Sequence, residues 1–126
     1  MKQIFNTNNA PAPIGPYSQA VMANGFLFLS GQVAINPETG EVTESSIAAE
    51  THQVMRNIKA VLMEASCTFA HVVKTTIFLT DMSLFAEVNE AYASYFENNF
   101  PARETVAVKG LPKGVNVEIS MTAYRG

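Results

Sequence analysis

The chain has 126 residues, of which 48% are hydrophobic and 15% are charged, and its formal net charge is −3. This length predicts one domain, residues 1–126, whose core needs no disulfide, and the acidic balance without a run of Lys or Arg argues against nucleic-acid binding. No apolar stretch is long enough for a signal peptide or a membrane span, so we expect a cytoplasmic protein without a membrane partner.

The N-terminal part of the chain predicts short strands separated by loops. Residues 2–5 predict a first strand, and residues 6–16, rich in Asn, Ala and Pro, predict a loop. Residues 18–22 and 26–30 predict two strands around an Asn24-Gly25 hairpin turn. The second of these strands is apolar on both faces, with Phe26, Phe28 and Ser30 on one and Leu27 and Leu29 on the other.

Residues 47–65 have the periodicity of a long amphipathic helix, which Ser45 or Ser46 can cap. The apolar stripe of this helix consists of Ile47, Thr51, Val54, Met55, Ile58, Val61, Leu62 and Ala65. We interpret His52, off the stripe, as a solvated residue and Cys67, the single cysteine, as a small apolar filler. With one cysteine and no metal-binding spacing of histidines, the sequence predicts no metal site.

The middle of the chain predicts a central strand and a second helix. Residues 72–79 predict a strand with apolar residues on both faces, Val73, Ile77 and Leu79 on one and Val72 and Phe78 on the other. Asp81 or Ser83 can cap the helix that follows, which ends before Pro101. Its buried stripe consists of Phe85, Val88, Ala91, Tyr92, Tyr95 and Phe96. Asn89 lies at the margin of this stripe, where a surface asparagine is the ordinary interpretation.

The last two predicted strands, residues 101–108 and 115–124, carry the side chains of most chemical interest. Along the second of them, Glu118 points away from the apolar row of Val115, Val117, Ile119, Met121 and Ala123. Along the first, Val106 and Val108 form the apolar side and Arg103 and Thr105 the opposite side. If both apolar rows face one core, Arg103 and Glu118 share the other face. Pattern alone favours a surface ion pair of at most about 1 kcal/mol over a binding site.

The predicted order β-β-β-α-β-α-β-β describes an α+β fold. Right-handed crossovers place both helices on one face of a mixed sheet and leave the other face uncovered. Because that face carries Phe and Leu side chains from several strands, we expect it to be covered by oligomerisation.

Four ordered motifs resemble the RidA/YjgF family, the reactive intermediate deaminases. They are Ile14-Gly15-Pro16-Tyr17-Ser18-Gln19-Ala20, Phe28-Leu29-Ser30-Gly31-Gln32, Phe85-Ala86-Glu87-Val88-Asn89, and Pro101-Ala102-Arg103 followed by Glu118 within Val-Glu-Ile. The chain departs from the family pattern at Glu104, Thr105 and Ala107, and by its parity Glu104 does not join Arg103. The resemblance implies a chorismate-mutase-like subunit and a homotrimer with its sites in clefts between subunits.

The resemblance also implies an activity. Members of the family hydrolyse 2-imino acids, such as 2-iminopropanoate and 2-iminobutanoate, which arise from pyridoxal-phosphate enzymes of amino-acid metabolism. The products are 2-keto acids and ammonia, and no cofactor is needed. Arg103 would hold the substrate carboxylate through two parallel hydrogen bonds, and Glu118 would act as the general base on water.

Further residues are expected around this pair. Tyr17, Ser30 and Thr105 would close the pocket and bond the nitrogen or the carboxylate, and Asn89 and Gly31 are further candidates for the site. An alternative function is a non-catalytic regulator that binds a keto or amino acid in the same cleft and contacts a protein partner. The presence of both the arginine and the glutamate favours the enzyme.

Overall fold

A computed structural model describes residues 1–126 and contains six strands and two α-helices in the predicted order. The strands are β1 (Gln3–Phe5), β2 (Ala20–Ala23), β3 (Phe26–Leu29), β4 (Val72–Leu79), β5 (Ala102–Ala107) and β6 (Val117–Tyr124). The helices are α1 (Ile47–Glu64) and α2 (Phe85–Ala93). Neither helix combines the length and the apolar character that crossing a membrane would require.

The strands form one mixed sheet in the order β1-β2-β3-β6-β4-β5. The last strand is inserted between β3 and β4 and runs antiparallel to both, whereas β4 and β5 are the parallel pair. Buried side chains of α1 and α2 form one core cluster with the inward row of the sheet, represented by Ile77, Leu79, Val117 and Ile119. The predicted α+β fold, with both helices on one face, is confirmed.

Local chemistry defines the ends of several elements. The Ser46 side chain accepts a hydrogen bond from the Ala49 N–H at 3.0 Å and caps α1. Asn24 and Gly25 have φ angles of 53° and 86°, the left-handed conformation that a tight hairpin between β2 and β3 requires. Asp81 caps the short 3₁₀ turn that precedes α2, through the Ser83 N–H, and not α2 itself.

Two side-chain orientations differ from the sequence prediction. In β4, a bulge between Val72 and Lys74 exchanges the predicted faces, so that Val72 is buried and Val73 is 45% exposed. In β5, Thr105 is the partner of Ile77 and Val106 is the partner of Phe78. Neighbouring partners in a sheet point to the same face, so Thr105 lies on the helix-covered face and Val106 on the open one.

The predicted shared face of Arg103 and Glu118 is therefore wrong. Arg103 is the partner of buried Thr75 and lies on the helix-covered face, whereas Glu118 is the partner of Phe78 on the open face. The prediction assumed that the valines of β5 face the core. They do not, because β5 is an edge strand whose helix-covered side is occupied by Arg103 and Thr105.

A buried carboxylate connects α1 to the start of β6. Glu50, in the first turn of α1, is 1% exposed, and its oxygens accept hydrogen bonds from the backbone N–H of Asn116 at 2.7 Å and of Val117 at 2.9 Å. The Asn116 side chain adds a third bond to Glu50 at 3.1 Å. These donors satisfy a charge that would otherwise be costly to bury, and they hold β6 in its central position.

We predict that Glu50→Gln lowers the free energy of unfolding by about 1 to 3 kcal/mol, because an amide N–H₂ then faces backbone donors that lose their acceptor. Denaturant unfolding at neutral pH and one fixed protein concentration measures this loss. The control is Glu64→Gln, an exposed position at the end of the same helix, which should change the free energy by less than about 0.5 kcal/mol. Equal unfolding midpoints for the two variants would contradict the assigned role of Glu50.

Candidate functional site

Four of the predicted site residues line one cavity of about 390 Å³ at the open face of the sheet: Tyr17, Ser30, Gly31 and Glu118. The segment after β3 reaches Glu118 because Gln32 pairs with Ile119 of β6 through two backbone hydrogen bonds, of 2.8 and 3.1 Å. This pairing places Gly31 directly beside the Glu118 side chain. The remaining lining comes from the loop before β2, which contributes mostly apolar side chains, from Gln19, Gln32, Val33 and Ile35, and from Pro112 and Lys113 in the loop before β6.

Gly31 provides the space in which the Glu118 carboxyl lies. A Cβ atom at position 31 would overlap the Glu118 carboxyl oxygen Oε2. Any larger residue at this position would therefore have to displace the carboxyl group. Glycine is therefore required here by close approach and not by a turn.

The Glu118 carboxyl is half-buried and has no hydrogen-bond donor or ion-pair partner within the chain. Partial burial removes water from the charged form and raises the pKa of Glu118 above its usual range. A carboxyl in this state is a better proton acceptor than an ordinary surface glutamate. It can take a proton from a water molecule held in the cavity.

Two residues with hydroxyl groups, Ser30 and Tyr17, line the same cavity as this carboxyl. The Ser30 hydroxyl donates to the Ser18 carbonyl at 2.6 Å, which orients its oxygen and leaves that oxygen able to accept a further bond. Tyr17 is 50% exposed, and its hydroxyl lies 3.4 Å from the backbone nitrogen of Ile14. Both groups can therefore contact a polar ligand.

Arg103 lies in a second cavity, of about 280 Å³, which Asn89, Tyr92 and Pro101 also line. Its guanidinium carbon lies 5.6 Å from the ring centre of Phe85 and 5.1 Å from that of Tyr92, distances typical of cation–π contact. The Tyr92 hydroxyl in turn donates to the buried Thr75 side chain at 3.0 Å.

No carboxylate pairs with Arg103, since the single ion pair of the chain joins Lys74 to Glu104 at 3.1 Å. The two aromatic rings lie beside the guanidinium and leave its N–H edges without a hydrogen-bond partner. Those edges have the geometry to bind a carboxylate through two parallel bonds. Arg103 is thus oriented for an anion that the chain itself does not supply.

Thr105 and Glu104 do not line either cavity. Thr105 lies on the helix-covered face, and its hydroxyl oxygen is buried without a partner. Glu104 lies on the open face, where hydrogen bonds from Thr76 and Lys74 lower its pKa. The prediction that Glu104 points away from Arg103 is confirmed.

The single chain thus contains two separate groups of predicted residues: the Glu118 cavity on the open face and the Arg103 cavity on the helix-covered face. Sequence reasoning missed the aromatic support of Arg103, because Phe85 and Tyr92 fit the apolar stripe of α2. It also assigned no role to Gln19, although this residue lies within one of the four motifs.

Known proteins are similar to this chain over nearly its whole length. The family model described as Endoribonuclease L-PSP matches residues 7–125. A RutC family protein of Pyrococcus horikoshii is 50% identical over 99% of both chains. The human protein named 2-iminobutanoate/2-iminopropanoate deaminase is 41% identical over 100% of this chain and 92% of its own.

A solved structure from Yersinia pestis, described as a member of the conserved Rid protein family, superposes with a TM-score of 0.97. It is 50% identical and the match covers 99% of this chain and 100% of that one. The match spans the sheet and both helices of this chain. The chain belongs to the RidA/YjgF family.

Proposed function

We propose that this protein is a hydrolytic deaminase that converts reactive 2-imino acids, such as 2-iminopropanoate and 2-iminobutanoate, into 2-keto acids and ammonia. The observation that carries the proposal is a pair of unpartnered charges, each at a cavity: the Arg103 guanidinium and the Glu118 carboxyl. A 2-imino acid offers a carboxylate to the first and an electrophilic carbon to water held by the second. The deaminase name of the human relative supports the same reaction.

The two cavities must come together for this chemistry, and we propose that they do so between subunits of a homotrimer. Arg103 lies on an edge strand, which leaves it accessible to a neighbouring subunit. The open face exposes apolar side chains that a partner would cover, including Phe26, Phe28, Val106 and Tyr124. Arg103 of one subunit would then face Glu118 of the next.

The proposed reaction begins with the substrate carboxylate on Arg103, through two parallel hydrogen bonds. Glu118 takes a proton from water as the water oxygen bonds to the carbon of the protonated imine. In the resulting carbinolamine the nitrogen accepts a proton from Glu118 or from solvent. The C–N bond then breaks as the hydroxyl group passes its proton to solvent, and the products are the keto acid and ammonia. Water supplies the ketone oxygen, and the carboxylate of Glu118 is restored.

Modest catalysis suffices for this reaction. A protonated imine reacts with water without an enzyme, so the protein must mainly orient the two reactants and remove one proton. General bases typically contribute 10²- to 10⁴-fold to the rate. Tyr17, Ser30 and Asn89 would contact the nitrogen or the carboxylate.

For a homotrimer, we expect light scattering to give a particle mass of about three times the subunit mass of 13.7 kDa.

Arg103 and Glu118 lie on opposite faces of one chain, so each site would combine residues of two subunits. Co-expressed Arg103→Lys and Glu118→Gln subunits should therefore form mixed trimers in which some sites are unaltered. With equal expression and random assembly around a closed ring, each mixed trimer would have one of its three sites built from two unaltered residues, which is about one quarter of all sites when unmixed trimers are included. Each variant expressed alone is the control, and a mixture no more active than either control would contradict the shared site.

Arg103→Lys and Glu118→Gln should also fail in different ways. The lysine keeps the charge but not the two-pronged geometry, so calorimetry should show pyruvate and 2-oxobutanoate binding weakened by about 1 to 3 kcal/mol, with hydrolysis reduced as well. The glutamine keeps the shape but not the base, so keto-acid binding should survive while hydrolysis falls roughly a hundredfold or more.

Hydrolysis in this comparison is measured as keto-acid release in a coupled threonine dehydratase reaction. The exposed substitutions Arg56→Lys and Glu64→Gln serve as controls. Full hydrolysis by Glu118→Gln would contradict its role as base. Binding of keto acids without any acceleration of imine hydrolysis by the unaltered protein would favour a ligand-binding regulator instead.

The pH dependence of kcat/KM should reflect the raised pKa of Glu118 in the free enzyme. The base must be ionised, so activity should fall as the pH drops through this raised pKa, at a higher pH than an ordinary glutamate, with a pKa of about 4.3, would give. Rates measured across the acid range with imines generated in situ test this. A residual activity of Glu118→Gln that keeps the same acid limb would assign the ionisation to another group.

A further inference from the structure

The loop before β2, residues 6–17, forms one wall of the Glu118 cavity. Its contribution is mostly apolar and comes from Pro11, Ala12, Ile14 and Tyr17. The only hydrogen bond within the loop that joins two backbone groups links the Tyr17 N–H to the Gly15 carbonyl, at 2.9 Å. The loop contains no helix or strand, so something other than backbone pairing must hold this wall in place.

The side chain of Gln19 supplies that support. This residue is 1% exposed, and its amide nitrogen donates to the carbonyls of Thr7 at 3.0 Å, Pro11 at 2.8 Å and Ala10 at 3.4 Å. Its amide oxygen accepts from the Thr7 N–H at 2.6 Å. One buried side chain therefore bonds both ends of the Thr7–Pro11 segment, where each lost bond would leave a polar group unpaired.

The backbone of Gln19 connects the same wall to the other side of the cavity. Its N–H donates to the Asn6 side chain at 3.0 Å, and its carbonyl accepts from the Ser30 N–H at 2.9 Å. Ser30 directly precedes Gly31, on which the Glu118 carboxyl lies. A shift of Gln19 would thus change the distance between the loop and Glu118.

We propose that Gln19 is a positioning residue that sets how well the site discriminates between substrates by the length of their side chain. The inference rests on the proposed function, in which Arg103 holds the substrate carboxylate and Glu118 directs water to the reacting carbon. The remaining substituent of a 2-imino acid then has the apolar loop wall as its neighbour. A wall held at a fixed distance contacts an added methylene of the substrate and strengthens its binding, whereas a mobile wall makes this contact less well.

Gln19→Leu removes every side-chain hydrogen bond at nearly constant volume, and Asn6→Ala, at an exposed position, removes one bond to the same residue. We expect kcat/KM for 2-iminobutanoate relative to 2-iminopropanoate to fall by about fourfold in Gln19→Leu, the value of one buried methylene, and by less in Asn6→Ala. This ratio does not depend on how much of the enzyme is folded. The matched control is Leu62→Ala, which destabilises the buried face of α1 and should leave the ratio unchanged.

Two further measurements do not require turnover. Amide hydrogen exchange of the Thr7–Tyr17 segment should become faster in Gln19→Leu while exchange in α1 stays the same. The ratio of dissociation constants for 2-oxobutanoate and pyruvate should change in the same sense as the kinetic ratio. Unchanged exchange in the loop, or faster exchange with both ratios unchanged, overturns the assignment of Gln19.

Failure of the proposed function has a different outcome. If the unaltered protein accelerates hydrolysis of neither imine, the deaminase proposal fails, and the keto-acid dissociation constants alone decide the role of Gln19. A ratio of those constants that Gln19→Leu leaves at the unaltered value then overturns the inference.

Discussion

The insertion of β6 between β3 and β4 is the constraint on which both faces of the sheet depend. Glu50 holds the start of this strand through two backbone N–H groups, and the partners on either side then set its register. Because side chains alternate along a strand, this register sends Ile119 into the core and Glu118 to the open face. A buried carboxylate in α1 thus anchors the start of the strand that carries Glu118.

The two charged groups of the candidate site, Arg103 and Glu118, are held in place by different contacts. Arg103 lies beside two aromatic rings, which restrict its orientation without neutralising its charge. The Glu118 carboxyl lies in the space that Gly31 leaves open, and its partial burial raises its pKa. Each charge lacks a partner within its own chain, an arrangement that costs stability and is typical of a site that waits for a ligand or for another subunit.

Much of the site could be recognised from the sequence. The four motifs contain Tyr17, Ser30, Gly31, Asn89, Arg103 and Glu118, and the structure gathers all of these around two cavities. Thr105 was also expected there, but it points beneath the helices and lines neither cavity. Gln19 shows a further limit, because its role depends on loop carbonyls whose positions no periodicity encodes.

The types and order of the elements, a serine cap at position 45 or 46 and the turn at Asn24-Gly25 could be predicted from the sequence, because these depend on interactions within a few residues; the structure selects Ser46 as the cap. The face that each side chain of β5 occupies follows only from the packing of the whole chain. Alternation shows which residues share a side but not which side the helices cover, and an edge strand can direct its valines outward where another subunit can cover them. The separation of Arg103 from Glu118 follows from that choice.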